Sequence, residues 1–151
     1  MEVTFSTGPG PEVSGRLGYL LKQAMRRLSA VSDEALAPFE VDDRRLAVLL
    51  LVASNEPMSQ QQAAERLSID RTTMVALLDD LESKGLVVRV AHPGDRRRNV
   101  IKLAPDSEPI LNEAFAAWNK AEQTVLAVLE PQAAEQLRES LQKIIRADEQ
   151  G

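Results

Sequence analysis

Between Arg89 and Ala104 the chain reads RVAHPGDRRRNVIKLA, where a Pro93–Gly94 turn is followed at once by Asp95, Arg96, Arg97 and Arg98. Three adjacent guanidiniums repel one another at short range, and mixed charges would serve solubility as well. Such a cluster suits a polyanion, whose phosphates or minor groove attract arginine. A second set lies upstream: Arg71, Thr72, Thr73, Val75 and Ala76. Threonine hydroxyls bond phosphates or base edges, methyl groups touch the thymine methyl, and an arginine reaches guanine or phosphate. The chemistry on offer is recognition rather than bond-making. His92 is the only histidine, and no nucleophile or third group stands with it and Asp95. The chain therefore reads as no enzyme and as needing no cofactor.

The elements that must position these residues are legible in the spacing. Ser59 with Gln62 three residues on is a capping box. It opens a short helix to about Leu67 with Ala63, Ala64 and Leu67 inward. Asp70 is placed to cap a second helix, Arg71 to Lys84, and Gly85 follows at the position where helices end in a left-handed residue. In that helix Met74, Leu77, Leu78 and Leu81 share one face, which leaves Arg71, Thr72, Val75, Ala76, Asp79 and Asp80 on the other. LVVRVA and NVIKLA then read as two strands joined by HPGDRRR. Helix, three-residue turn, helix and hairpin make a winged helix-turn-helix, whose anchored second helix can enter the major groove.

Around this unit the periodicity is helical. Leu17, Leu20, Leu21, Ala24, Leu28, Val31 and Ala35 mark an amphipathic helix over 14–37, capped by Ser14 and closed by Pro38. A more uniformly apolar helix starts at Asp42 or Asp43 and stops before Asn55–Pro57. After Pro105 a long helix covers 106–130, and Pro131 opens a last one carrying Leu137, Leu141, Ile144 and Ile145. The fold class is mainly α. The expected organisation is a flexible N-terminal arm over 1–13, a helical dimerisation region over 14–41 and 105–151, and the DNA-binding region over 42–104. The first helix and the last two carry more apolar side chains than one small winged-helix domain can cover, which argues for a second copy.

Charge supports the division. The whole chain of 151 residues carries -5, yet 55–104 holds 8 Lys/Arg against 7 Asp/Glu, whereas 105–151 holds 4 against 9. The only positive segment contains the hairpin, and a local patch matters more to a polyanion than the total. The absence of cysteine excludes disulfides, thiolate metal sites and thiol switches, and one histidine makes a metal centre a poor fit. No apolar run approaches the roughly 20 residues of a membrane span, and the acidic, Gly/Pro-rich start lacks the pattern of a signal peptide. These features suit a cytoplasmic protein.

The stretch LSIDRTTMVALLDDLESKGLVVRVAHPGDRRRNVIKLA resembles the MarR family of bacterial transcription regulators, with the turn, Asp95-Arg96-Arg97 and VIKL as its most specific part and Leu78–Val87 nearly as typical. The resemblance covers about 15–147. It implies a homodimer with interleaved terminal helices, acting on a palindromic operator in double-stranded DNA, typically as a repressor. It also implies release by a small aromatic or acidic effector, and a short strand near Met58. Carried over by position, Arg97 matches the groove-entering wing arginine and Asp95 the residue that braces the wing, with Arg96 and Arg98 as phosphate contacts or solvated.

Two departures bear on that reading. Asp79 and Asp80 stand on the recognition helix, where acids near phosphates cost affinity; this shifts work onto the wing, Arg71, Lys84 or Arg66. Few polar groups offer an effector a hold, the candidates being Arg16, Tyr19, Arg44 and Arg45, and the two last can equally pair with Asp42 or Asp43. A second function class therefore stands beside the regulator. A helix-turn-helix also serves as a protein-interaction or ligand-sequestering module with weak DNA binding, and Asp79 and Asp80 favour it.

Overall fold

A computed structural model describes residues 8–54 and 56–150. Seven α-helices and one two-stranded antiparallel sheet are formed among them. They divide into two compact units, residues 1–31 with 120–151, and residues 32–119.

The second unit holds the core and every element of the hairpin motif. The long helix α2 (Leu17–Leu36) delivers Ser32 and Leu36 into it, followed by a 3-10 turn at Ala37–Phe39. Helix α3 (Asp43–Val52) starts at Asp42, whose side chain accepts the Arg45 backbone N–H. It buries Leu46, Val48, Leu49 and Val52. Helix α4 (Gln60–Arg66) carries the full capping box between Ser59 and Gln62. Helix α5 (Arg71–Ser83) is capped by Asp70 and buries Met74, Leu77, Leu78 and Leu81, the stripe read from the sequence. Helix α6 (Glu108–Leu126) contributes Leu111 and Ala114 to this core, with Trp118 against its edge.

Both ends of the helix-turn-helix close in the same way. After α5, Gly85 N–H bonds the Glu82 carbonyl and Leu86 N–H the Leu81 carbonyl, with Gly85 at φ +72°. After α4, Ser68 N–H bonds Glu65 and Ile69 N–H bonds Ala64, with Ser68 at φ +52°. Each is a Schellman turn, which satisfies otherwise orphaned carbonyls and needs a left-handed residue. Serine takes that conformation against a steric cost that glycine avoids.

Strand β1 (Val87–His92) pairs antiparallel with β2 (Asp95–Leu103). Regular pairing runs from Val87↔Leu103 to Ala91↔Asn99, then jumps to His92↔Asp95. At Met58 the expected third strand is reduced to one bond, Ile101 N–H to the Met58 carbonyl, with Met58 buried.

The first unit contains the short turn α1 (Pro11–Ser14), most of α2, the end of α6 and α7 (Pro131–Arg146). Ser14 ends α1 instead of capping the long helix, which begins at Leu17; its hydroxyl bonds back to the Pro11 carbonyl. Pro11 at the first helical position makes that extra turn cheap. The later long helix is shorter than its apolar pattern, running from Glu108 to Leu126 rather than over 106–130. Pro131 opens α7 as expected. Arg138 of α7 pairs with Glu122 of α6 at 3.0 Å. Helix α7 buries none of its side chains: Ile144 and Ile145 are 57% and 67% exposed, and Leu17 and Met25 of α2 are 58% and 54% exposed. Of the expected N-terminal arm, residues 1–7 lie outside the described residues.

Candidate nucleic-acid interface

Helix α5 turns its apolar stripe to the core, so its opposite face is the one a groove would meet. Arg71, Thr72 and Ala76 are exposed on it and Val75 is half-buried. Thr73 is half-buried, and its hydroxyl donates to Asp70, whose other oxygen accepts the Thr73 backbone N–H. The hydrogen bond from the Thr73 hydroxyl, and then those from backbone N–H groups, hold the Asp70 carboxyl below its usual range. Thr73 is thereby committed to the cap, which leaves Arg71 and Thr72 as the free polar groups at the start of the helix.

The three arginines of the hairpin occupy the break in strand register. Arg96, Arg97 and Arg98 fall between Asn99, paired with Ala91, and Asp95, paired with His92, so none of them has a strand partner. All three are exposed. Asp95 organises the break: one carboxylate oxygen accepts the Arg97 backbone N–H at 3.0 Å, and the other lies 3.8 Å from Arg98 Nε. His92 Nδ1 accepts the Gly94 N–H on the other side of the turn. Among the described residues the side chains of Arg71, Arg96 and Arg97 have no ion pair. They are therefore available to a polyanion at no cost in lost internal contacts.

Four other cations of this unit, Arg45, Arg66, Lys84 and Arg89, are held by internal partners, whereas Arg44 and Lys102 are exposed. Arg66 forms a two-pronged pair with Glu56 at 2.8 and 3.0 Å. Lys84 meets Asp80 at 3.1 Å and donates to the Glu40 carbonyl. Each would have to give up or share that partner to supplement the DNA contacts as expected. The two acids on the outer face of α5 are paired as well. Asp80 accepts Arg45 Nε at 2.6 Å, and Arg45 also reaches Asp42 at 2.7 Å. Hydrogen bonds from Arg45, then Lys84, hold the Asp80 carboxyl below its usual range. Asp79 accepts Arg89 Nη2 at 2.8 Å, and Glu82 accepts Arg89 Nη1 at 2.9 Å. Each acid thus has a cationic partner within the fold, which offsets part of its charge toward a phosphate. Spacing along the chain did not reveal these pairs, because their arginines come from other elements.

Of the proposed effector-binding residues, Arg45 is consumed by Asp42 and Asp80, whereas Arg44 is exposed. Arg44 lines a cavity of about 410 Å³ with Ala47, Ile69, Asp70, Thr73 and Trp118, directly beside the cap of α5. Arg16 and Tyr19 lie in the first unit, exposed and half-buried respectively. Among the described residues no group of three or more His, Asp or Glu is placed to hold a metal, and no helix is long and apolar enough to cross a membrane.

Known proteins share this arrangement. A family model described as the MarR family matches residues 39–98, from the turn before α3 through the third hairpin arginine. The solved structure of the transcriptional repressor CouR bound to a 23-mer DNA duplex is 32% identical, with a TM-score of 0.85 over 93% of this chain and 100% of that one. CouR from Rhodococcus jostii RHA1 bound to p-coumaroyl-CoA superposes with a TM-score of 0.74 at 27% identity, over 92% and 95% of the two chains. A MarR-family transcriptional regulator from Rhodococcus sp. RHA1 is 26% identical over 92% and 96%, with a TM-score of 0.76. The chain belongs to the MarR family of transcriptional regulators.

Proposed function

We propose that this protein is a homodimeric repressor that binds a palindromic operator in double-stranded DNA, with α5 in the major groove and the β1–β2 wing against the neighbouring minor groove or phosphates. The observation that carries the reading is the pairing pattern of its cations. Arg66, Lys84, Arg89 and Arg45 are satisfied within the fold, whereas Arg71, at the start of α5, and Arg96 and Arg97, at the hairpin's register break, are exposed and unpaired. Arg97 enters the groove, Asp95 braces the loop through the Arg97 N–H, and Arg96 and Arg98 meet phosphate. Thr72, Val75 and Ala76 approach base edges, and Thr73 holds the start of the helix. DNA binding by the similar CouR supports this assignment.

The uncovered apolar side chains of α2 and α7 support the second copy. A twofold dimer matches the twofold symmetry of a palindromic site. The division of labour follows: 14–41 and 105–151 for dimerisation, 42–104 for DNA. The protein works by binding, in the cytoplasm, without a cofactor. An acidic or aromatic effector releases the DNA by entering beside the α5 cap, where Arg44 offers a free cation and Trp118 an aromatic wall; the p-coumaroyl-CoA complex of CouR is consistent with such a ligand class. The alternative, an interaction module that has lost DNA binding, rested on Asp79 and Asp80, and both are neutralised by internal partners.

An electrophoretic shift against the DNA upstream of the protein's own gene, at two salt concentrations, tests the proposal. Retardation that weakens steeply with salt is expected, because each neutralised phosphate releases counterions. No retardation at low salt would overturn it.

A further inference from the structure

Arg89 stands on β1, and its guanidinium spans to two acids one helical turn apart on α5, Asp79 at 2.8 Å and Glu82 at 2.9 Å. Between the last residue of α5 and the first of β1 the chain makes only the connection Lys84–Leu86, with its left-handed Gly85. That connection is short and tied at its backbone, with the Leu86 carbonyl accepting the Ala104 N–H and Leu86 buried, and it joins the two elements that must engage DNA together. The Arg89 side chain is only 25% exposed. Burial opposes its charge, but the hydrogen bonds to Asp79 and Glu82 outweigh that and raise its pKa.

We propose that Arg89 is a positioning residue that locks the angle between the recognition helix and the wing, and so sets specificity for the operator over other DNA. The inference rests on the DNA-binding reading above. Its physical basis is the two-pronged geometry. A planar guanidinium with both Nη atoms engaged fixes orientation as well as distance. A lysine at the same place could hold one acid but not define the angle. The Asp79 and Glu82 side chains are 63% and 45% exposed, so the pairs add little to stability; what they constrain is the relative placement of α5 and the arginine-bearing bulge. A small misplacement of a reading element is costly because direct contacts require simultaneous alignment.

The clamp and simple electrostatics predict opposite signs. Removing two negative charges from the DNA-facing side would tighten binding to any duplex if those acids merely repelled phosphate. If they hold the clamp, Asp79→Asn with Glu82→Gln lowers affinity for the operator while leaving affinity for a scrambled duplex equal or higher. The experiment titrates the protein, by fluorescence anisotropy, against the upstream-region duplex that the wild type retards and against a scrambled duplex of equal length. Expected is a loss of about tenfold in the ratio of the two affinities, the factor that 1.4 kcal/mol produces, with an unchanged thermal melt. Arg89→Gln should lose as much of the ratio, Arg89→Lys should restore only part of it, and Arg89→Glu combined with Asp79→Arg should recover more than Arg89→Glu alone. Equal or tighter operator binding by the double acid variant would overturn the clamp while leaving the DNA-binding reading intact. Wild-type protein that binds neither duplex would instead remove the reading on which the clamp rests.

Discussion

Asp80 Oδ2 lies 2.6 Å from Arg45 Nε, joining α5, the proposed recognition helix, to the first turn of α3 across thirty-five residues of chain. The same oxygen meets Lys84 one turn further along α5. An acid that reads in the sequence as a repulsive charge against DNA is therefore an internal anchor. Asp80→Asn should lower stability by about 1 kcal/mol, at the upper end for a partly exposed pair, and the melting temperature by roughly 2–4 °C. Because the folded carboxyl is held below its usual range, the stabilisation is present above the ordinary carboxylate value of about 4. It is lost as pH falls through the lower folded value. The melting difference between wild type and variant should therefore hold at neutral pH and close only in the acid range, and a difference that persists there would refute the pair as its cause.

Arg97→Ala should weaken operator binding about tenfold, in line with the ~1–3 kcal/mol assigned to a direct arginine contact, with an unaltered melt. Its side chain has no partner among the described residues, so nothing internal is lost. Unchanged affinity with a normal melt would reassign the groove contact to Arg96 or Arg98.

The two Schellman turns make a matched pair of stability tests. Gly85 sits at φ +72° and Ser68 at φ +52°. Gly85→Ala places a β-carbon in a left-handed conformation and should cost about 1–2 kcal/mol, although nothing lies close enough to clash. Ser68→Gly relieves the same strain and should gain a smaller amount, about 0.5 kcal/mol after the added flexibility of the unfolded chain. Chemical denaturation reads both, and a destabilising Ser68→Gly would count against strain in that turn.

Helix α7 supplies the dimer test. Ile145 is the more exposed of its two terminal isoleucines, and Ile145→Asp adds a charge to a face that a second copy would bury. Sedimentation should show dimer weakened by tenfold or more. A wild type that sediments as a monomer at micromolar concentration would remove the interface.

What was legible in the sequence is local. Ser59 with Gln62, Asp70, Gly85 and the Met74–Leu81 stripe act within a turn or two of helix, where spacing along the chain equals proximity in space, and each is found as read. Pro131 is another such signal. The pairings of Asp79 with Arg89 and Asp80 with Arg45 were not legible, because they depend on which elements the fold brings side by side. The hairpin is intermediate: its strands follow from alternation, but the register break that frees Arg96–Arg98 depends on cross-strand pairing. Ser14 shows the opposite failure, a good capping residue that a nearby Pro11 draws into a separate turn.

The most direct measure of the central claim is a hydroxyl-radical footprint of the wild-type protein on the DNA upstream of its own gene. Two recognition helices and two wings on one dimer predict twofold-symmetric protection, with half-site centres about one helical turn, roughly 10 base pairs, apart. Absence of protection at concentrations where the protein is dimeric, or a single asymmetric patch, would contradict the account.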